Sequence, residues 1–146
     1  MNKTDSAFSH LNILIVDDER SVVKILRTML TNIGVGQILV AHDGIEASGF
    51  LDECGDKIDI IICDWNMPHM NGLQLLKKVR SSDPDKAFVM LTGTATQEAV
   101  REAKRLKITA FIAKPFSQLE ISKKLEMVAR YVDEQQFRTG ASKAAL

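Results

Sequence analysis

Apolar runs and apolar helical stripes alternate along the chain. Ile13-Leu14-Ile15-Val16 is a continuous run of strand length, as expected of a strand covered on both faces. Behind it Val22, Ile25, Leu26, Met29 and Ile33 fall on one helical stripe, which Gly34 and Gly36 bring to an end. Gln37-Ile38-Leu39-Val40-Ala41 reads as a second strand with Asp43-Gly44 as its exit turn. Ala47, Phe50, Leu51 and Cys54 then line a helix that Gly49 weakens slightly. The third strand, Ile58-Asp59-Ile60-Ile61-Ile62-Cys63, ends at Asp64. The loop after it opens with Trp65-Asn66-Met67-Pro68 and closes with Asn71-Gly72. Leu75, Leu76 and Val79 form the next stripe, and Ser81-Ser82-Asp83-Pro84-Asp85 reads as a loop. Ala87-Phe88-Val89-Met90-Leu91 is the fourth strand, ending in Thr92-Gly93-Thr94, with Ala99, Val100, Ala103 and Leu106 on the helix behind it. Ala110-Phe111-Ile112-Ala113 is the fifth strand, ending at Lys114-Pro115. The last helix carries Ile121, Leu125, Val128 and Val132 on one face, with Glu120–Lys124 and Glu126–Arg130 in the favourable order for ion pairs.

Five strand–helix units predict an α/β fold: an all-parallel sheet with helices on both faces and right-handed crossovers. The 146 residues suit one domain, expected over 12–133, with 1–11 and 134–146 as flexible termini; residues 137–146 show no periodicity. Formal net charge is zero, which removes a global electrostatic case for nucleic-acid binding. No apolar stretch approaches membrane-spanning length, and Met1 to Asn12 lacks the pattern of a signal peptide, so a cytoplasmic location is expected. Cys54 and Cys63 are neither a disulfide framework nor a zinc motif and read as small buried hydrophobes.

The chemistry gathers at the strand ends. The first strand ends in Asp17-Asp18-Glu19, the third in Asp64, the fourth in Thr92 and the fifth in Lys114. In a parallel sheet these ends share one edge, which is where open α/β sheets place their ligands. Acids at the ends of buried strands cost folding energy unless a cation binds there. Oxygen ligands of this kind suit Mg²⁺, and an Asp can act as a nucleophile toward phosphorus. A hydroxyl and an ammonium can then neutralise phosphoryl oxygens.

With Val16-Asp17-Asp18, Asp64-Trp65-Asn66-Met67-Pro68, Asn71-Gly72-Leu73, Leu91-Thr92 and Lys114-Pro115-Phe116 in this order, each at a strand end, the chain resembles the receiver domains of two-component response regulators. It is most similar to the single-domain, CheY-like chemotaxis type, over about residues 12 to 133. The resemblance implies a flavodoxin-like doubly wound (βα)5 fold with strand order 2-1-3-4-5. It implies Asp64 as phosphoacceptor, Asp18 as a direct Mg²⁺ ligand, Asp17 as a ligand chiefly through water, and Asn66 as a ligand through its backbone carbonyl. Thr92 would hydrogen-bond the arriving phosphoryl group and Lys114 would pair with it. The Lys114–Pro115 bond would be cis, and Phe111 would be the switch aromatic. Phe111 also fits a plain core aromatic.

Three positions depart from the family pattern. Gly93 stands where Ala is common. Thr94 is neutral where the chemotaxis relative carries an acid. Leu106-Lys107-Ile108-Thr109 lacks the glycine usual before the fifth strand. Elsewhere the bland readings hold. His10, His42 and His69 show no ligand spacing, Trp65 is a packing residue beside the site, Met67 and Met70 pack under its loop, and Asp83, Asp85 and Lys86 form a solvated loop.

The function implied by the resemblance is a stand-alone switch. A histidine kinase or phosphotransfer protein would donate phosphate to Asp64, and the face formed by the fourth helix, fifth strand and fifth helix would change its affinity for a downstream protein. No DNA-binding motif follows residue 133, and no membrane partner is implied. Apart from its own phosphorylation and dephosphorylation, no catalysis is expected. One rival is a Mg²⁺-dependent phosphohydrolase with an Asp nucleophile, but its second acid would stand at Asn66, which cannot donate a proton. The other is an interaction module that works without phosphorylation, against which the intact acid cluster argues.

Overall fold

The computed structural model describes residues 7–93 and 95–144; Thr94, the neutral residue after Gly93, and the outermost residues 1–6 and 145–146 of the expected flexible termini lie outside the described residues. The strands are β1 (Asn12–Val16), β2 (Gln37–Ala41), β3 (Ile60–Asp64), β4 (Ala87–Thr92) and β5 (Ala110–Ala113). They form one parallel sheet in the order β2-β1-β3-β4-β5. The helices are α1 (Arg20–Asn32), α2 (Gly44–Cys54), α3 (Gly72–Ser82), α4 (Gln97–Arg105) and α5 (Gln118–Ala144), and a short 3-10 turn covers Gly55–Lys57. The flavodoxin-like doubly wound order implied by the family resemblance is the observed one.

Alternate strand residues serve opposite faces, as the period of two requires. Ile13, Ile15, Ile60, Ile62, Val89, Leu91 and Ile112 meet Leu26 and Leu30 of α1 and Ile121, Leu125 and Val128 of α5. Leu14, Val16, Ile61, Cys63, Phe88 and Met90 meet the other face, with Leu75, Leu76 and Val79 of α3 and Ala103 of α4. Both faces of β3 are covered, which is why its run is continuously apolar up to Asp64.

Local chemistry sets several boundaries. Asp43 caps α2 through Glu46 N–H, and Asn71 and Gln74 form a reciprocal capping box at the start of α3. That box follows directly on the loop after Asp64. α1 ends with Gly34 at φ 95°, its N–H bonded to Thr31 O and the next N–H, from Val35, bonded to Leu30 O.

The structure corrects the reading in four places. Residues 7–11 are tied down, not loose: Phe8 is 8% exposed in the α1/α5 core, and its carbonyl accepts from Leu11 and Gly36. A Cβ on Gly36 would lie 2.0 Å from Ser9 O, so that close passage needs glycine. α5 continues past Asp133 through Ala144, anchored by Tyr131 Oη donating to Asp85 O and Gln136 donating to Asp59, contacts that no apolar periodicity announces. Ser81 and Ser82 finish α3 instead of opening a loop. Lys86 is not solvated; its ammonium donates to Gly55 O and Ile58 O and so closes the turn before β3. Both cysteines are free, with Cys63 buried and Cys54 at the end of α2. Among the described residues no helix is long and apolar enough to cross a membrane.

Candidate functional site

The parallel register brings the strand ends together. Val16 pairs with Cys63, Asp64 with Leu91 and Thr92 with Ala113, so the residues that follow each strand emerge along one edge. Asp17 is fully buried just beyond β1, Asp64 is 4% exposed at the end of β3, and Asp18 is exposed. One carboxylate oxygen from each of Asp17, Asp18 and Asp64 lies within 4.8 Å of the others. Lys114, just beyond β5, donates from Nζ to Asp64 Oδ1 at 2.9 Å. The same ammonium stands 3.5 Å from Asp17 Oδ2 and 3.9 Å from Glu19 Oε1.

Backbone bonds fix this edge. Trp65 N–H donates to Leu91 O, Lys114 N–H to Thr92 O, and Gly72 N–H to Trp65 O. Gly72 allows the loop to fold back: a Cβ there would meet Asp64 O at 2.6 Å and Met90 Sδ at 2.6 Å. Met70 lies in the same way over Gly44, holding the loop against the start of α2, and His69 takes a left-handed φ of 68° within it.

Among the described residues two buried oxygens at this edge find no hydrogen-bond partner, Asp17 Oδ2 and Thr92 Oγ1. Asp17 Oδ1 accepts Glu19 N–H at 2.9 Å. Burial outweighs that bond, and with the repulsion of Asp64 it raises the Asp17 carboxyl from 3.8 to about 6. At Lys114 burial pushes the ammonium down, but the hydrogen bond to Asp64 and the charges of Asp17, Asp64 and Glu19 together carry it above its ordinary value. The cluster is short of positive charge, and one lysine does not supply enough.

The remaining residues singled out from the sequence lie at or near the same edge. Asn66 is exposed in the loop two residues past Asp64. The Lys114–Pro115 bond is cis. Phe111 is half-buried in β5, its ring 6.3 Å from that of Trp65 and tilted by 31°. Trp65 is thus a packing residue that touches Phe111. Glu19 was not assigned a part from the sequence; its carboxylate near Lys114 and its N–H on Asp17 make it the fourth acid of the edge, and the unbroken run Asp17-Asp18-Glu19 was the available signal.

A model of the response regulator receiver domain matches residues 13–126. The chain belongs to this family. The chemotaxis protein CheY1 of Helicobacter pylori is 37% identical over 120 residues, 81% of this chain and 96% of that protein. A chemotaxis CheY homolog of Campylobacter jejuni is 36% identical over 120 residues, covering 81% and 92%. Among solved structures, Vibrio cholerae CheY4 superposes with a TM-score of 0.74 at 32% identity, over 81% of this chain and 98% of that one.

Within this receiver fold two of the departures take physical form. Gly93 is exposed, and a Cβ there would approach only Lys114 Cβ, at 4.0 Å, so space does not demand glycine. Lys107 adopts φ 57° where the family's glycine is missing, and the Arg80 guanidinium braces that turn by donating to Leu106 O at 2.7 Å and Lys107 O at 3.0 Å.

Proposed function

We propose that this receiver is a phosphorylation switch in which Asp64 accepts a phosphoryl group from a phosphohistidine on a histidine kinase or phosphotransfer protein. The observation that carries the reading is the pair of unbonded buried oxygens, Asp17 Oδ2 and Thr92 Oγ1, at the edge that holds Asp64. Buried polar atoms are normally satisfied. Here one suits a cation and the other can donate to an incoming anion.

The donor set fits Mg²⁺: three clustered carboxylates, hard oxygen ligands, with the buried Asp17 Oδ2 without a hydrogen bond to any described residue and facing only the Lys114 ammonium at 3.5 Å. Asp18, Asp17, Asp64 and the Asn66 carbonyl would hold it. When bound, Mg²⁺ supplies positive charge at the phosphoryl oxygens. A structure of the CheX–CheY–BeF3–Mg²⁺ complex from Borrelia burgdorferi, 29% identical with a TM-score of 0.76 over 81% of this chain and 88% of that one, supports this reading.

An oxygen of Asp64 attacks phosphorus, the donor's P–N bond breaks, and its electron pair stays on the imidazole. Lys114 exchanges its carboxylate partner for a phosphoryl oxygen. The Thr92 hydroxyl turns to donate to another. The acyl phosphate carries roughly 1.5 to 2 negative charges where the Asp64 carboxylate carried one. Thr92 moving toward it pulls the segment between β4 and α4, and Phe111 gains room to shift against Trp65. The α4–β5–α5 face is thereby remodelled for a downstream protein partner. Histidine kinases present their phosphohistidine in the cytoplasm, which is where this reading places the chain.

Acetyl phosphate with Mg²⁺ tests the carry-over of roles. The wild type is expected to form a hydroxylamine-labile acyl phosphate and Asp18→Asn to form far less. Equal labelling of both proteins would remove Asp18 from the metal set.

A further inference from the structure

The last turns of α2 and α3 end beside the loops that lead into β3 and β4, at the edge of the sheet where the strands begin. That edge is one strand length, about 13 Å, from Asp64. Between the two helices lies a hollow of about 240 Å³. Leu51 and Val79 form its apolar walls, Ser48 and Ser82 bring hydroxyls, and Asp52, Asp56 and Asp83 bring carboxylates. A second hollow of about 320 Å³ adjoins it across Asp56, Asp83 and Lys86; it adds Asp59 and Asp85 and no further lysine or arginine.

The lining is rich in acceptors and poor in donors. The Ser48 hydroxyl donates to Gly44 O at 2.9 Å and the Ser82 hydroxyl to Val79 O at 3.4 Å, so both oxygens have only lone pairs left to offer. The exposed Asp52 and Asp56 carboxylates make no hydrogen bond or ion pair with any described residue. Lys86 is spent: its ammonium donates to Gly55 O and Ile58 O and stands 3.9 Å from Asp83. Among the lining residues only Lys78, exposed on α3, is a free cation. The C-terminal ends of the two helices add partial negative charge. α2 has no basic residue in its last turn, and Arg80 in the last turn of α3 reaches instead to Leu106 O and Lys107 O.

We infer that the hollow between α2 and α3 seats an arginine side chain presented by another protein. A guanidinium carries N–H donors in a fixed fork and no acceptor, which matches carboxylates and spent hydroxyls arranged around it. Its alkyl stem finds Leu51 and Val79 to lie along. Pockets for whole small molecules start at about 300 Å³, so this hollow suits one long side chain. Arginine is also among the side chains that most often anchor protein interfaces. The neighbouring hollow, with four carboxylates and only the spent Lys86, extends the same charge preference to residues beside that arginine. An anion would meet three carboxylates with Lys78 alone to hold it. A partner held at this edge leaves Asp64 free at the other, so the contact does not depend on the proposed phosphorylation.

Amide chemical-shift mapping on the unphosphorylated full chain tests this. The probe is a short capped peptide of glycine and serine with one central arginine. Its counterpart has citrulline there, which keeps the shape and removes the charge. Free arginine and inorganic phosphate are titrated beside them. In wild type the arginine peptide should move the amides of Leu51 to Gly55 and Val79 to Asp83 and leave those around Asp64 in place. The citrulline peptide should bind about tenfold more weakly, and Asp52→Asn/Asp56→Asn should weaken the arginine peptide about tenfold. Glu53→Gln/Glu126→Gln changes the net charge equally at exposed positions outside the hollow and should bind as wild type does. Unmoved amides in wild type, equal binding of the citrulline peptide, or equal loss in both double variants overturns the inference. Phosphate moving the same amides at lower concentration overturns it in favour of an anion site. Free arginine brings its own carboxylate among the acids and should bind more weakly than the peptide; equal or tighter binding overturns the protein assignment in favour of a free metabolite. Movement of these amides on concentrating the protein alone overturns it in favour of a second copy. None of these outcomes bears on Asp64, which acetyl phosphate labelling judges separately.

Discussion

Gly34 and Lys107 occupy the same position in the same helix-ending motif. Each donates its N–H to the carbonyl three residues back, Thr31 and Lys104, and the next residue donates to the carbonyl five back, Leu30 and Ala103. Each has positive φ, 95° at Gly34 and 57° at Lys107. Glycine adopts that conformation without steric penalty, whereas a Cβ makes it unfavourable. The motif therefore forms at the end of α4 under strain, held by Arg80 from α3.

Replacing Lys107 with Gly should relieve that strain and stabilise the fold by roughly 0.5–1 kcal/mol, after allowing for the extra freedom glycine gives the unfolded chain. Urea denaturation of Lys107→Gly against wild type reads the difference. A lower midpoint for the variant would mean that the lysine side chain contributes more than its backbone costs.

The Asp17 carboxyl holds its proton to about pH 6 in the fold against 3.8 ordinarily. Between those values the folded state binds more protons than the unfolded one. This group's contribution to metal-free stability is thus favourable at low pH and falls as pH rises toward 6, by roughly 2–3 kcal/mol in all. Asp17→Asn should match wild type near pH 4 and exceed it above pH 6 without Mg²⁺, and the advantage should shrink when Mg²⁺ is added. Melting temperatures across pH, taken as a difference between the two proteins, provide the readout. A constant difference would show that Asp17 does not titrate in this window.

Gly72→Ala places a Cβ 2.6 Å from Asp64 O. The backbone carrying Asp64 must move, so the variant should lose on the order of 2 kcal/mol and bind Mg²⁺ more weakly. Trp65, adjacent to Asp64, should report both losses by fluorescence. Wild-type stability and titration in Gly72→Ala would show that the loop has room that the close contacts deny.

Much of this was legible in the sequence because the carriers are local. The apolar run into Asp64 is continuous since β3 is covered twice, and the Asn71-Gly72 punctuation marks a capped helix start. The acids, Thr92 and Lys114 were recognisable because a parallel sheet puts all strand ends on one side. What escaped depends on contacts between distant segments. The docking of Phe8 and the extension of α5 rest on a passage beside Gly36 and on hydrogen bonds from Tyr131 and Gln136 to Asp85 and Asp59. Lys86 looked like a surface charge because the carbonyls it closes upon lie about thirty residues earlier.

Thr92 Oγ1 is buried without a partner among the described residues, so Thr92→Val keeps the shape and removes an unsatisfied hydroxyl. The unphosphorylated variant should be as stable as wild type or up to about 1 kcal/mol more so. It should still accept phosphate at Asp64. With BeF3 and Mg²⁺ in place, amides around Phe111 and the start of α4 should move in wild type and hardly move in Thr92→Val. Equal movement would assign the coupling to another group.

The central claim is that Asp64 is the phosphoacceptor. Intact-mass measurement after incubation with acetyl phosphate and Mg²⁺ tests it most directly. The account predicts one added phosphoryl group on wild type, removed by hydroxylamine, and none on Asp64→Asn. A phosphoryl group retained by Asp64→Asn, or a wild type that gains none, would contradict it.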